Sequence, residues 1–285
     1  MARETREHRE ADLSQEERFL RDRIREDVRR TPRLLPTDFT HVTRRVAEDD
    51  LAKAVALRRE FARTGTERGF LLEQFLQQQI ELSNWFGDNA FVFSTTDFDD
   101  LRNGVDAVIE FNPHDRRLLV PRLAVDVTTA ASAKVLQEKA AKIYEGGRVK
   151  YFRSEIETNG DGNPTDLTLG RLPMVVIGID AKLFGDIARS LYEKRTSMTV
   201  RDVQTNEVTK KLGIDRQFLA NHPLKGLFLD QARAQLLFQR DNPQAAACLR
   251  HIEAELEKIK SSPEYQRAKL IGKASPTHRS LTLAA

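Results

Sequence analysis

The sequence predicts an α/β fold, a small mixed sheet flanked by helices and carrying helical extensions at both ends, and three features predict it. GVDAVIEF, from Gly104 to Phe111, alternates in side-chain character with the period of a strand. LPMVVIGID, from Leu172 to Asp180, is apolar, β-branched and short, the signature of a buried central strand. Between and around them, as in GFLLEQFLQQQIELSNWFGD and SAKVLQEKAAKIYEGG, apolar residues recur at helical spacing.

The elements follow in order. From Leu13 a helix opens with Ser14 and Glu17 in the capping-box pattern, and Phe19, Leu20, Ile24 and Val28 give it one narrow apolar stripe. Pro32 and Pro36 break it, and LAKAVALRREFART (Leu51 to Thr64) resumes a helix until Gly65 and Gly69 interrupt, so residues 1–66 form a helical arm. The next helix puts Leu72, Phe75, Leu76, Ile80, Leu82 and Phe86 on a wide apolar face, assigns Trp85 and Phe86 to the core, and stops at Gly87.

The first strand sets Val105, Ala107, Ile109 and Phe111 on one face and Asp106, Val108 and Glu110 on the other. Asn112, Pro113 and His114 turn the chain, and LLVPRLAVDVTT, interrupted by Pro121, returns over Leu118 to Thr129 as the second arm of a hairpin. A helix closed by Gly146 and Gly147 comes next. RVKYFRSEI reads as a further strand of the same sheet over 148–156, and ETNGDGNPTDLTLG as a loop with turn chemistry at Gly160, Gly162 and Asn163. After the 172–180 strand, AKLFGDIARSLYEKR completes a core spanning 67–195. Residues 196–285 read as a helical region, and from Gln266 to Ala285 it holds Arg267, Lys269, Lys273 and Arg279 with no acid. That basic tail suits either a nucleic-acid contact or a frayed terminus.

Composition narrows the function. In 285 residues, 40% hydrophobic and 31% charged, 46 basic side chains nearly cancel 43 acidic ones to leave +3, so net charge alone does not announce a polyanion partner. No apolar run approaches the ~18 residues of a membrane span and the first residues lack a secretory signal's apolar centre, so the expectation is a cytoplasmic protein without a membrane partner. Cys248 stands alone and six scattered histidines make no zinc spacing. GxxxxGK[ST], GxGxxG after a strand and GxSxG are all missing, which leaves NTPase, dinucleotide-dependent and serine-hydrolase chemistry without support. The long helices raise the expectation of a homodimer, although no seam runs for several heptads.

Two carboxylates carry the informative pattern. Asp106 and, twenty positions on, Asp126 each interrupt an apolar strand, and a buried carboxylate is costly unless something offsets it. On adjacent strands they make a hard oxygen site suited to Mg²⁺ or Mn²⁺, which ionises water and offsets phosphate charge. The alternative is structural: Asp126, Thr128 and Thr129 stand where helix caps are favoured, and Asp106 follows Gly104 closely enough for a turn role. Glu110, on the Asp106 face, reads as an exposed strand end ahead of a carboxylate supporting the metal site, and Asp97, Asp99 and Asp100 as a solvated loop or cap ahead of a peripheral metal contact. Lys150 and Arg153, beside Tyr151 and Phe152, suit either a strand that touches DNA or an edge guarded by charge.

With GVDAVIEF and AVDVTT in place, the stretch from Gly69 to Arg195 resembles the PD-(D/E)XK, or restriction-endonuclease-like, nuclease superfamily. The resemblance implies an αβββαβ core, Mg²⁺- or Mn²⁺-dependent hydrolysis of DNA, and Asp106 and Asp126 as the metal-binding catalytic carboxylates. It also implies a helix glutamate, matched by Glu73 or Glu81, and a lysine two residues after the second acid. Here that position is Thr128. Some members take the basic residue from the following helix, where Lys134, Lys139 and Lys142 stand; Lys139 is the catalytic choice, with Lys142, Lys150 and Arg153 as nucleic-acid contacts. The missing strand lysine leaves open a catalytically inactive module of the same fold that binds nucleic acid or a protein partner, or a helical scaffold.

Overall fold

The N-terminal helix forms where local chemistry predicts it. In the computed structural model, which describes residues 13–28, 33–64, 67–113, 119–130, 132–201, 208–214 and 216–283, α1 spans Gln15–Val28. The Ser14 amide donates to Glu17 Oε2 at 2.8 Å and the Glu17 amide to Ser14 Oγ at 3.2 Å, a reciprocal capping box. His8, Pro32, Gly65, His114, Leu118 and Ala285 lie outside the described residues.

α2 (Arg44–Thr64) and α3 (Glu67–Ser83) follow, with Gly69 inside α3. α3 ends earlier than the apolar pattern suggests, because Asn84 takes a left-handed φ of 50°. Leu82, in the last turn of α3, is exposed and not on the buried face, while Trp85 and Phe86 turn into the core beyond the helix. Gly87 is still required: its φ is 104° and a Cβ there would stand 2.8 Å from Glu255 Oε1.

β1 (Ala90–Ser94), β2 (Ala107–Phe111) and β3 (Arg122–Thr128) form an antiparallel meander. α4 (Ala133–Glu145) leads to a hairpin of β4 (Gly147–Thr158) and β5 (Pro164–Leu172), then β6 (Met174–Gly178) pairs in parallel with β3. The central sheet thus has the order β1-β2-β3-β6. Three expectations change. β1 is a strand that the alternation did not announce. The 148–156 strand belongs to a separate two-stranded sheet with β5, whose residues had read as loop. The 172–180 strand is an edge, buried on both faces although it has one strand neighbour.

α5 (Ala181–Glu193) is followed by a hairpin, β7 (Arg195–Arg201) and β8 (Val208–Ile214), within a region expected to be helical throughout. Then come α6 (Arg216–Ala220), α7 (Pro223–Phe238), α8 (Pro243–Ile259), α9 (Pro263–Ala274) and α10 (Pro276–Leu283). The basic tail is therefore packed helix: Leu281 is buried beside Leu136, Ile143 and Val176, and Thr277 donates to the Ala130 carbonyl at 3.1 Å. No described helix is long and apolar enough to cross a membrane.

One face of the sheet, with Ile109, Phe111, Leu123, Val125, Val127, Val175 and Ile177, shares a single apolar cluster with α1, α3, α5, α7, α8 and α9. Cys248 is buried in it. The opposite face packs Val108, Ala124 and Met174 under the β4–β5 hairpin and Val176 under α4 and α10.

The free edge of β6 is closed by a helix. Gln231 and Gln235 of α7 and Gln239, the residue that caps its C-terminus, each accept from one strand amide and donate to the carbonyl of the same residue: Gly178 (3.0 and 2.7 Å), Val176 (2.7 and 2.8 Å) and Met174 (3.0 and 2.8 Å). The fit follows from geometry, since four helical residues rise ~6 Å and two strand residues ~6.7 Å. The ladder satisfies an edge that would otherwise expose or bury unpaired backbone groups.

Candidate active site

The β2–β3 register builds the centre. Its pairs run from Glu110↔Arg122 to Ala107↔Val125, so one further step sets Asp106 opposite Asp126. The Asp106 amide donates to Val125 O at 2.9 Å and the Asp106 carboxylate accepts from the Val127 amide at 2.7 Å. Both aspartates are buried.

Asp126 meets the helix that follows its strand. Lys139 and Lys142, one turn apart on α4, face it: Lys139 Nζ pairs with Oδ1, and Lys142 Nζ stands 3.5 Å from Oδ2. Oδ2 has no hydrogen bond despite being buried. Lys134 points elsewhere, 4.0 Å from Glu138 on an exposed face. Thr128, at the lysine position of the resemblance, accepts from the Ala130 amide at 3.1 Å and shapes the turn into α4. Gly104 makes room for the second lysine: at φ 64°, any Cβ there would collide with Lys142 Nζ.

Glu73 joins from α3, and Asp100 from a turn of π-helix over Asp99–Asn103. Glu73, Asp100 and Asp106 each offer an oxygen within 4.8 Å of the other two. This changes the expected metal set. Asp106 and Glu73 stand together, Asp100 replaces the solvated role expected for it, and Asp126 lies beside the trio on its lysines. Glu81, the alternative to Glu73, accepts from the Val92 amide at 2.6 Å and covers the edge of β1.

An arginine from the N-terminal arm crosses the cluster. Arg33 donates to Glu73 at 2.7 Å, Asp100 at 2.8 Å and Asp97 at 3.0 Å, and Arg58 of α2 also reaches Asp97 at 2.5 Å. Nothing in the local sequence around Arg33 marks it, since its partners lie 40 to 67 residues away.

Burial and crowding shift the acids upward. Asp106 is raised well above the usual carboxylate range by burial and then by the charges of Asp126, Glu73 and Asp100. Burial pushes Glu73 up to about 7, against the opposing effect of Arg33. Burial alone would lower the Lys139 ammonium, but Asp126 and Asp106 outweigh it and hold the group charged.

Several other candidates have different work. Lys150 pairs with Asp50 of α2 at 2.6 Å, and Arg153 pairs with Asp166 at 2.7 Å while donating to the Asp38 carbonyl at 2.6 Å. Both therefore tie the N-terminal arm to the β4–β5 hairpin. Glu110 is fully buried, where an exposed end was expected, and pairs with Arg122 at 2.8 Å and Ser154 at 2.8 Å. Asp99 is buried too, accepting the Lys150 and Tyr151 amides at 2.7 and 3.0 Å, which docks the π turn onto β4.

The donor set fits a small divalent cation. Glu73, Asp100 and Asp106 could supply hard oxygens at one point, Asp126 Oδ2, which has an ion pair to Lys142 but no hydrogen bond, lies beside it, and raised carboxyl groups would become ligands if a metal displaced their protons. Searches of protein-family models, curated proteins and solved structures returned no match to the chain.

Proposed function

We propose that the chain is a Mg²⁺- or Mn²⁺-dependent nuclease that hydrolyses phosphodiester bonds in DNA, in a cytoplasmic setting. The observation that carries the reading is the meeting of Lys139, from α4, with the Asp126 carboxylate across from Asp106. A helix lysine thereby stands where the strand offers only Thr128. The order α3, β1, β2, β3, α4, β6 also agrees with the αβββαβ arrangement of the resemblance, with β4–β5 as an insertion.

A divalent ion held by Asp106, Glu73 and Asp100, with Asp126 alongside, would polarise the phosphate and ionise water. The chain's own residues do the rest. Lys139 holds its proton and opposes the negative charge that grows on the phosphate oxygens as water adds. Asp126 aims that ammonium, and Lys142 holds the neighbouring phosphate. In the overall step, one P–O bond forms to water, the bond to the leaving alcohol breaks, and the proton released from water balances the one the alcohol takes up.

The test is cleavage of labelled single- and double-stranded DNA with Mg²⁺ or Mn²⁺, comparing wild type, Asp126→Ala, Lys139→Ala and a chelator control. Cleavage lost in both variants and with chelator supports the reading. Wild type that cuts neither substrate and gains no thermal stability from either metal overturns it. A second reading has its own observation: Arg33 spans Glu73 and Asp100, as an internal counter-ion would in a catalytically inactive module that binds nucleic acid or a protein. The metal-dependent thermal shift separates the two.

A further inference from the structure

A groove of about 810 Å³ opens at the C-terminal end of α4. Its lining begins at Arg102, two residues before the glycine on which Lys142 rests, and continues through Tyr144, two residues after that lysine. Arg148 at the start of β4, Arg171 at the end of β5 and Phe238 at the end of α7 complete the path. No ion pair is recorded for Arg102, Arg148 or Arg171 among the described residues, and all three are exposed. Tyr144 and Phe238, at 67% and 61%, are the most exposed aromatic side chains among those residues. Arg171 is moreover held at φ 53°, a left-handed backbone that a non-glycine residue adopts only under constraint from its surroundings.

We propose that this groove binds a single-stranded segment of DNA, with phosphates on the three arginines and unpaired bases on Tyr144 and Phe238; the proposal rests on the nuclease reading for its choice of polymer. Exposed aromatic faces engage bases only when the bases are unstacked and unpaired, which a duplex does not offer. A volume of this size lies in the range of ligand clefts. Glu145 and Asp241 share the lining and leave it one net positive charge. Affinity therefore leans on stacking, and the salt dependence is shallow: three phosphate contacts to a single strand give a slope of about −2 in log affinity against log salt. Arg102 and Asn103 of the lining immediately precede Gly104, against which Lys142 packs, so a strand lying in the groove would pass beside the turn that leads into Asp106.

The test is fluorescence anisotropy of the full chain in chelator with labelled oligothymidylate, single-stranded or annealed to oligodeoxyadenylate. Variants are Phe238→Ala, Arg102→Ala and Arg148→Ala, exposed positions whose thermal midpoints check folding. The expected result is tighter binding of the single strand, a loss of about five- to 150-fold in Phe238→Ala and a salt slope shallower by about 0.7 in each arginine variant. Equal or tighter binding of the duplex, an unchanged Phe238→Ala, or no binding of either oligonucleotide overturns the proposal. Its failure is distinguishable from that of the nuclease reading. If Phe238→Ala weakens binding while wild type cuts nothing with Mn²⁺, the groove stands and hydrolysis falls. If Asp126-dependent cleavage occurs and the groove variants bind and cut like wild type, hydrolysis stands and the groove falls.

Discussion

Replacing Lys139 with methionine keeps the apolar stem of the side chain and removes only its charge, so the variant isolates what the ammonium does. Asp126 is 2% exposed and its Oδ2 already lacks a hydrogen bond; without Lys139, its remaining cation is Lys142 at 3.5 Å. Breaking a buried pair by removing one partner costs about 3–5 kcal/mol, because the surviving charge is left uncompensated. Lys142 offsets part of this, so about 2–4 kcal/mol is expected, a large share of the ~5–15 kcal/mol typical of a folded domain. The assay is urea unfolding in chelator at pH 8, followed by the fluorescence of Trp85, the single tryptophan and a fully buried one. Saturating Mn²⁺ should restore stability, by about 2.7 kcal/mol at one hundred times its dissociation constant. Cleavage should stay about 10²- to 10³-fold below wild type, the loss typical of one transition-state donor. A methionine variant that unfolds at the same urea concentration as wild type at pH 8 would refute the ion pair, and one that cuts DNA normally would refute the catalytic role.

Three further outcomes follow from the geometry. Gln235→Leu strands the buried amide and carbonyl of Val176, at about 1–3 kcal/mol each, so the urea midpoint should fall well below that of the same change at the half-buried Gln239; equal midpoints would sink the ladder. Arg33→Ala removes the cation shared by Glu73 and Asp100, so Mn²⁺ measured by calorimetry should bind more tightly, and weaker binding would show that Arg33 supports the site instead of competing for it. Glu73 holds its proton up to about 7 in the folded state, against 4.5 as its ordinary value. The folded chain therefore binds more protons than the unfolded one across that window, and the part of the metal-free stability that Glu73 contributes should fall by about 3 kcal/mol as pH rises through it. Glu73→Gln should abolish that part of the slope; an unchanged slope would mean that Glu73 titrates normally.

The sequence by itself determined what depends on neighbours a few residues apart. The Ser14 and Glu17 capping box, the helix closed at Gly146 and the turn at Asn159–Asn163 are local hydrogen-bonding effects, and each appears in the structure; the alternation holds from Val108 to Phe111, whereas Val105, before the strand, packs with Val108 and not with Ile109 and Phe111. It also marked Asp106 and Asp126, because a charge in an apolar strand is visible without coordinates, whereas the α4 lysines are named only through the family resemblance. Tertiary structure decided what depends on distance in space. β1 was hidden because a five-residue edge strand with partly exposed Phe91 and Val92 carries little burial pattern, and β5 because its Pro, Asp and Gly residues resemble a loop. Only the fold shows which of three lysines reaches Asp126, since helix phase and the turn at Thr128 set that direction. Only the fold brings Arg33 and Asp100 to Glu73, and only the fold lets glutamines four residues apart on α7 act as a missing strand for β6. The arginine and glutamine contacts join segments 40 to 67 residues apart, where no sequence period relates one partner to the other and packing alone selects the contact.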